Sequence, residues 1–508
     1  MKKLLLLLLL VLLVGCGSSG KTDKIEDHYR NVYVPFLYSF YDTTGDGVGD
    51  IQGLIKQLDY ISCPETGLGA DAIWMLPIHP ATSYHGYDVT DYKEINPLHG
   101  TLDDFDQLVA AANKRGVILI LDLIMNHTSI MHPWFTAALQ EIREDLPYHY
   151  FYYYNIVEGK PPGSSWYSAG KDYFYEGDFW AGMPDLNFNN PEVKREFEEI
   201  VRFWIDRGIR GFRLDAAKHI FHTERENIAF WTWFSEMVHE IDPDIFLVAE
   251  VWDADVVVMP YYETGLTSMF NFRFEGAGGV ISQAIRNQSG ASLPTEIFRM
   301  DRHISGRNPD SMSSIFISNH DTNRSADWLR VEEERKIAAA AYLFIPGVSY
   351  IYYGEEIAMT GTGRDENKRA PMIWSLTRQA GETRGPRAMD RIPDLGEGVE
   401  EALLRPDSLL NYYREIIAIK NRHPEIARGT PEEIKTDIVA VAMYSLTWNE
   451  KTVYIVHNFS TEAVTVAVDV GSRVKIAENL NPNCTEGSGF GLSNGELTLP
   501  RYGTAVLR

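Results

Sequence analysis

Eight short apolar runs, alternating with helix-like stretches, constrain this chain more than any other feature. They are VYVPFLYSF (32–40), AIWMLPIH (72–79), VILILDLI (117–124), GFRLDA (211–216), IFLVAEVW (245–252), SMFNF (268–272), SIFISNH (314–320) and VSYIYYG (348–354). Amphipathic segments lie between several of them, such as 101–114 and 192–206. The segment PEVKREFEEIVRFWIDRG opens on a proline and closes on a glycine, the punctuation of a helix. Eight buried strands alternating with helices predict an α/β fold, a (β/α)8 barrel.

Two of the runs end in a carboxylate, Asp215 in GFRLDAAKH and Glu250 in IFLVAEVW. An acid at the C-terminal tip of a buried strand is costly to desolvate and is usually there for chemistry. The spacing fits a barrel, which allots roughly 31 residues to each strand–helix unit. Asp215 and Glu250 are 35 positions apart, one unit. Asp321 follows Glu250 by 71, two units with SMFNF as the strand between. From Asp122 to Asp215 the chain takes 93 residues, far too many for one unit. An insertion rich in Tyr, Trp, Pro and Gly must follow the third strand; it is read as an irregular subdomain over 127–188. The barrel then comprises 31–126 and 189–428. From 429 to 508 only short β runs remain, as in IVAVAMYSLTW and KTVYIVHNF, predicting a separate antiparallel β-sandwich.

The first twenty residues, MKKLLLLLLLVLLVGCGSSG, carry two lysines and a leucine run too short for a comfortable membrane span. Residues 1–15 read as a secretory signal, with an uncleaved anchor helix as the alternative. Leu13-Val14-Gly15-Cys16 resembles a bacterial lipobox, which makes Cys16 the lipidated mature N-terminus and residues 16–30 a tether. The expectation is an exported monomer attached to the cell envelope by acyl chains alone. Cys63 and Cys484 remain, and the sequence leaves open whether they pair. A net charge of −24, spread along the chain, argues against a nucleic-acid partner and fits a neutral substrate outside the cell.

Active residues of such barrels gather at the C-terminal strand ends. There the sequence supplies Asp122, Asn126 and His127, then Arg213, Asp215, Lys218 and His219, then Glu250, and finally Asn319, His320 and Asp321. Tyr84, His85, Tyr87 and Asp88 follow the second strand. A single strand-end acid is often a structural cap. Three of them, with histidines beside two, make a purely structural reading unlikely.

DLIMNH, GFRLDAAKH, AEVW and FISNHD, in this order and at barrel spacing, resemble the conserved regions of the α-amylase family, glycoside hydrolase family 13. MPDLNF (183–188) is similar to an additional region of that family at the end of its inserted domain. The resemblance runs from about residue 32 to 425 and implies Asp215 as nucleophile, Glu250 as general acid/base and Asp321 as the third acid. It implies sugar contacts from Tyr84, His85, Tyr87, His127, Lys218, His219, His320, Asp365 and Arg369. Arg213, two residues before Asp215, lies on the same side of the strand and can keep Asp215 ionised. The apolar neighbours of Glu250 would raise its pKa.

YDTTGDGVGD sets Asp42, Thr44, Asp46, Val48 and Asp50 at alternating positions among three glycines, a loop able to offer several oxygens to a hard cation. It resembles the Ca²⁺ loop of many oligosaccharide-active family members, with Thr44 where Asp or Asn is more usual. The resemblance implies a second Ca²⁺ site at Asn126, Asp185 and the His219 carbonyl, against which Asn187 stands where an Asp is common. Tyr84 and Lys218-His219 resemble the open α-amylase form, while MPDLN lies between α-amylases and oligo-1,6-glucosidases. The expected activity is an endo-acting α-amylase on starch and maltooligosaccharides. The alternatives are an exo-acting α-glucosidase, oligo-1,6-glucosidase or neopullulanase-like enzyme, and a non-hydrolytic starch-binding protein.

Overall fold

The computed structural model describes residues 27–377, 380–393, 395–470, 474–482 and 489–508. The leader, Cys16 and Cys484 lie outside them. Among the described residues no helix is long and apolar enough to cross a membrane. Cys63, whose pairing the sequence left open, is disulfide-bonded.

Eight parallel strands close into a barrel: β1 (Asn31–Val34), β2 (Ala72–Met75), β3 (Ile118–Leu123), β4 (Gly211–Leu214), β5 (Phe246–Ala249), β6 (Ser268–Asn271), β7 (Met312–Ile315) and β8 (Val348–Tyr352), with β8 pairing back onto β1. Helices cover the outside, so both faces of every strand are buried and the strands read as unbroken apolar runs. The expected helices form as Leu102–Lys114 and Pro191–Asp206. Thr101 and Asp104 make a capping box at the first, and the Asn190 side chain accepts from the Glu192 N–H at the second.

The strands are shorter than the runs that announced them. β1 stops at Val34, and a 3₁₀ turn, Leu37–Ser39, follows. β7 is Met312–Ile315, so the expected strand over 314–320 starts two residues too late and continues through an exit loop. In that loop the Asn319 side-chain oxygen accepts from the N–H groups of Asp321 and Thr322, a local turn that competes with the sheet ladder.

The insertion is more regular than its composition suggested. It holds a helix, Pro133–Glu144, and a three-stranded antiparallel sheet of Ile156–Glu158, Trp166–Gly170 and Tyr173–Glu176. Buried Glu141 ties the two parts by accepting from the N–H groups of His149, Tyr150 and Phe151. Strands of three to five residues give too few alternations to be seen as a period.

After the barrel come a five-stranded antiparallel sheet, built around Val441–Trp448 and Lys451–Asn458, and a three-stranded one of Val464–Ala467, Glu496–Leu499 and Gly491–Ser493. Alternation divides the larger sheet. Ala442, Tyr444 and Leu446 join the barrel core, whereas Val441 and Met443 pack with Val466, Leu497 and Leu499 of the smaller sheet.

Glu355 is among the buried acids outside the expected set. Glu355, just past β8, accepts from the hydroxyls of Tyr342, Tyr413 and Ser318 at 2.7–2.8 Å. Burial pushes its carboxyl up from 4.5 to about 7 despite those bonds. The folded chain therefore holds this proton more tightly than the unfolded chain does. The stabilisation is complete below pH 4.5 and is lost as pH rises through about 7. Glu355→Gln should flatten this part of the stability profile, removing a slope of about 1.4 kcal/mol per pH unit. Urea denaturation of both proteins between pH 5 and 8 measures it, and parallel profiles would refute the assignment.

Candidate active site

A cavity of about 440 Å³ opens beyond the C-terminal ends of β4, β5 and β7. Its lining includes His85, Tyr87, His127, Asp215, Lys218, His219, Glu250, Asp321, Asp365 and Arg369. Most of the expected site residues thus converge on one hollow. Arg213 and His320 lie buried beneath it, and Tyr84 stands to one side with its hydroxyl 3.4 Å from Arg369 Nη1.

Asp215 and Glu250 each occupy the first position after their strand. The Asp215 N–H donates to Leu123 O and the Glu250 N–H to Leu214 O, carrying the ladder one residue further. Ala216 then turns left-handed, at φ 45° and ψ 44°. This is a costly conformation for a residue with a Cβ. It turns the Ala216 N–H toward Glu250 Oε2, 3.3 Å away, while the Ala217 N–H donates to the Glu250 carbonyl.

Arg213 organises the acids. Its Nη1 donates to Asp122 Oδ1 at 2.8 Å and to Asp215 Oδ1 at 2.5 Å, and its Nη2 donates to Glu250 Oε2 at 2.6 Å. The Trp74 and Tyr87 rings flank the guanidinium. Burial pushes Asp122 up to about 7 and raises Asp215 and Glu250, while Arg213 opposes all three shifts. One positive charge serves three buried carboxylates, and burial makes each of them harder to ionise. The sequence reading credited Arg213 with Asp215 alone and thus missed this sharing.

Asp321 is in the opposite situation. Burial alone would raise its pKa, but His320 and Arg369 carry it well below the usual carboxylate range. Arg369 Nη2 donates to Asp321 Oδ1 at 2.8 Å, and His320 Nε2 lies 3.0 Å from Oδ2. The His320 ring stacks on Tyr87, whose hydroxyl bridges His320 Nε2 and Asp122 Oδ2. Burial lowers His85 and His127 to about 4, so these two imidazoles are neutral at pH 7, and it lowers His320 from its ordinary range against the opposing pull of Asp321. Asp365 receives Lys368 Nζ at 3.0 Å, and the same amine donates to the Asp321 carbonyl.

Lys218 and His219 are held firmly. Lys218 Nζ donates to Trp252 O and Asp253 Oδ2, both at 2.9 Å, and His219 Nδ1 lies 2.6 Å from Asp178 Oδ2. Phe179, Met183 and Trp252 also line the cavity and were not anticipated. The signal for Trp252 was present in AEVW, a large ring two residues beyond an acid. Nothing in the sequence marked Phe179 among the many aromatics of the insertion.

At the 42–50 loop, Gly45 and Gly47 adopt φ of +82° and +88°, which turns backbone N–H groups inward. Asp42 accepts from the N–H groups of Thr44, Gly45 and Gly47, Asp46 from Val48, and Asp50 from Thr43 and Gly53. Gly381 O accepts from the Asp42 N–H, and the Arg384 N–H donates to Gly47 O, strapping the loop down. Among the described residues no group of three or more His, Cys, Asp or Glu side chains is arranged to hold a metal ion. A cation in this loop must therefore also draw on the Thr44 hydroxyl and the Val48 carbonyl, hard oxygen donors that suit Ca²⁺. At the second expected site Asn126 Nδ2 donates to Asp185 Oδ1 at 3.0 Å, and burial pushes Asp185 up to about 8.

Removing Arg213 should expose the repulsion it suppresses. Arg213→Met should cost about 3–5 kcal/mol at pH 7, as expected when a buried charge loses its partner. The loss should shrink at pH 5, where the acids can take up protons. Urea denaturation at the two pH values checks this, and a pH-independent loss would assign Arg213 to packing alone.

Comparison with known proteins agrees with the geometry. The family model described as "Alpha amylase, catalytic domain" matches residues 36–429. Alpha-amylase 3 of Dictyoglomus thermophilum is 37% identical over 86% of this chain and 86% of its own length. Trehalose-6-phosphate hydrolase of Escherichia coli is 30% identical, covering 85% of this chain and 90% of that protein. The solved structure of Eubacterium rectale Amy13B superposes with a TM-score of 0.90 at 34% identity, over 95% of this chain and 96% of that one. The chain belongs to the α-amylase family, glycoside hydrolase family 13, and is a glycoside hydrolase whose acids meet at the open end of a (β/α)8 barrel.

Proposed function

We propose that the protein is a retaining, endo-acting α-amylase that hydrolyses α-1,4-glucosidic bonds in starch and maltooligosaccharides. The observation that carries this reading is the single guanidinium shared by Asp215 and Glu250. Two carboxylates that reach one guanidinium fit the ~5–5.5 Å separation of retaining enzymes better than the ~6.5–9.5 Å that inverting enzymes need for an intervening water.

In this reading Glu250, whose pKa burial raises, gives a proton to the leaving glycosidic oxygen. Asp215, kept ionised by its short bond to Arg213, attacks the anomeric carbon and forms the glycosyl-enzyme. Glu250 then takes a proton from water, whose oxygen attacks the same carbon and frees Asp215. Asp321, ionised by Arg369, supports the positive charge that develops on the sugar. His127, neutral and buried, and His320, buried beside Asp321, are suited to hydrogen-bond sugar hydroxyls, and Tyr87 supplies the ring beneath the reacting glucose. Endo action is supported by Tyr84, by Lys218-His219 and by the likeness to Alpha-amylase 3. MPDLN and the likeness to a trehalose-6-phosphate hydrolase support the exo-acting alternative. The complete acid set argues against a protein that only binds starch.

Early digestion of maltoheptaose should yield maltose, maltotriose and maltotetraose together, and glucose as the only early product would establish the exo-acting alternative. Asp215→Asn should lose several orders of magnitude on every substrate. Glu250→Gln should lose far less on α-glucosyl fluoride, which needs little proton donation, than on starch. Equal losses on both would remove Glu250 from the acid role.

The same reading includes Ca²⁺ in the 42–50 loop, supported by its alternating oxygen donors, and a lipid anchor at Cys16, supported by the Leu13–Cys16 motif. Bound Ca²⁺ stabilises only the folded chain, so the melting temperature should rise in Ca²⁺ relative to chelator. Asp46→Ala should lose that difference and keep the product pattern. A calcium-independent melting temperature in the parent protein would eliminate the site.

A further inference from the structure

The chain enters the barrel at the end opposite the acids, and it is pinned there. Asp27 accepts from Arg428 Nε at 2.8 Å and from Nη2 at 2.5 Å. The same guanidinium lies over the rings of Tyr29 and Trp448. The His28 ring sits 5.5 Å from the ring of Phe246, the first residue of β5. Arg30 Nη1 donates to the carbonyls of Asp71 and Gly116, each at 2.9 Å and each just ahead of β2 or β3. The Asn31 N–H donates to Asp71 Oδ1 at 2.8 Å. Phe246, Asp71 and Gly116 mark the N-terminal ends of three strands, whereas Asp215, Glu250 and Asp321 follow C-terminal ends. Charged residues exposed at the pinned end, such as Lys114, Asp244, Arg307 and Asp310, mix both signs.

We infer that the N-terminal end of the barrel faces a lipid bilayer and that the mouth of the active site opens away from it. The inference rests on the reading of Cys16 as the lipidated N-terminus and goes beyond it by fixing which face meets the membrane. Length decides the orientation. Only residues 17–26 separate Cys16 from Asp27. Ten residues reach at most about 36 Å when fully extended, and about 17 Å as a flexible coil. A globule of this chain length has a radius of gyration of about 23 Å, which makes it about 60 Å across. To press the mouth against the bilayer, the tether would have to run from one end of the molecule to the other, and it is too short. The mixed charge of the pinned end supplies no polybasic attraction to lipid headgroups. The acyl chains therefore hold the protein, and the short tether sets its attitude. A glucan polymer then reaches the acids from the side away from the bilayer, without entering the gap between protein and membrane.

The test places the full-length, lipidated protein on preformed phosphatidylcholine vesicles that carry an acceptor dye on their headgroups. A fluorophore is attached at one of two exposed positions. Asn113→Cys puts it at the pinned end, and Leu98→Cys puts it on the mouth side, in the loop between β2 and the helix Leu102–Lys114. The parent protein carried through the same labelling sets the background. At the distances above, the label on Asn113→Cys should be quenched at least about twofold more strongly than the label on Leu98→Cys. Equal quenching, or stronger quenching at Leu98→Cys, would overturn the orientation. A Gly/Ser insert of about forty residues after Gly20 lengthens the coil to about 39 Å and its full reach beyond the width of the protein. It should erase most of the difference, and a difference that persists would overturn the role of the tether. Cys16→Ala, which cannot be acylated, should stay in solution when the vesicles are floated. A parent protein that also stays behind would remove the lipid anchor and the orientation with it, whereas the label results overturn the orientation alone.

Discussion

The site depends on the buried Arg213 guanidinium. It is 1% exposed and meets Asp122, Asp215 and Glu250. Such an arrangement is not a device for stability, because desolvating the ions costs as much as their attraction returns. Its value is positional. The two carboxylates that follow β4 and β5 are fixed against one rigid fork. From Asp122 a line of hydrogen bonds then runs through the Tyr87 hydroxyl and His320 to Asp321, which ends on Arg369. Two cations therefore bracket the acids. At the Arg213 end burial still raises Glu250 against the single guanidinium, while at the other end His320 and Arg369 carry Asp321 well below the usual carboxylate range.

The barrel was legible because parallel strands covered on both faces leave an unbroken apolar record, and the acids because a carboxylate interrupts that record at its end. Strand limits were less legible. Apolar residues such as Phe316 and Ile317 remain buried after β7 stops, so burial outlasts the ladder and the run 314–320 overshoots. The inserted sheet was missed because its strands are too short for alternation to register. Of the site, the residues in conserved-looking motifs were found and those supplied by the irregular wall were not. Phe179 and Asp178 have meaning only once the insertion folds over β4's exit loop. Sharing of Arg213 among three acids was hidden for a related reason, since Asp122 and Glu250 approach it across strand neighbours and not along the chain.

That insertion also explains why the exit loops are so well fixed. It returns to the barrel where the Leu186 N–H donates to Asn126 O, beside a backbone bridge of His127 with Asp185. The Asn126 amide donates to one oxygen of Asp185, and the Asp178 N–H donates to the other. Burial pushes Asp185 up to about 8, so at neutral pH this latch is largely a neutral hydrogen-bonded contact. Asp178, one end of it, holds His219, and the next residue, Phe179, faces the cavity. On the other wall Lys218 holds Trp252 two residues after Glu250. The pair Lys218-His219 therefore fastens the insertion to the barrel at the place where substrate must pass. The positions of Asp215 and Glu250 are set from below by Arg213. Positioning of the acids and attachment of the insertion are in this way assigned to separate contacts, one inside the barrel and one across its rim.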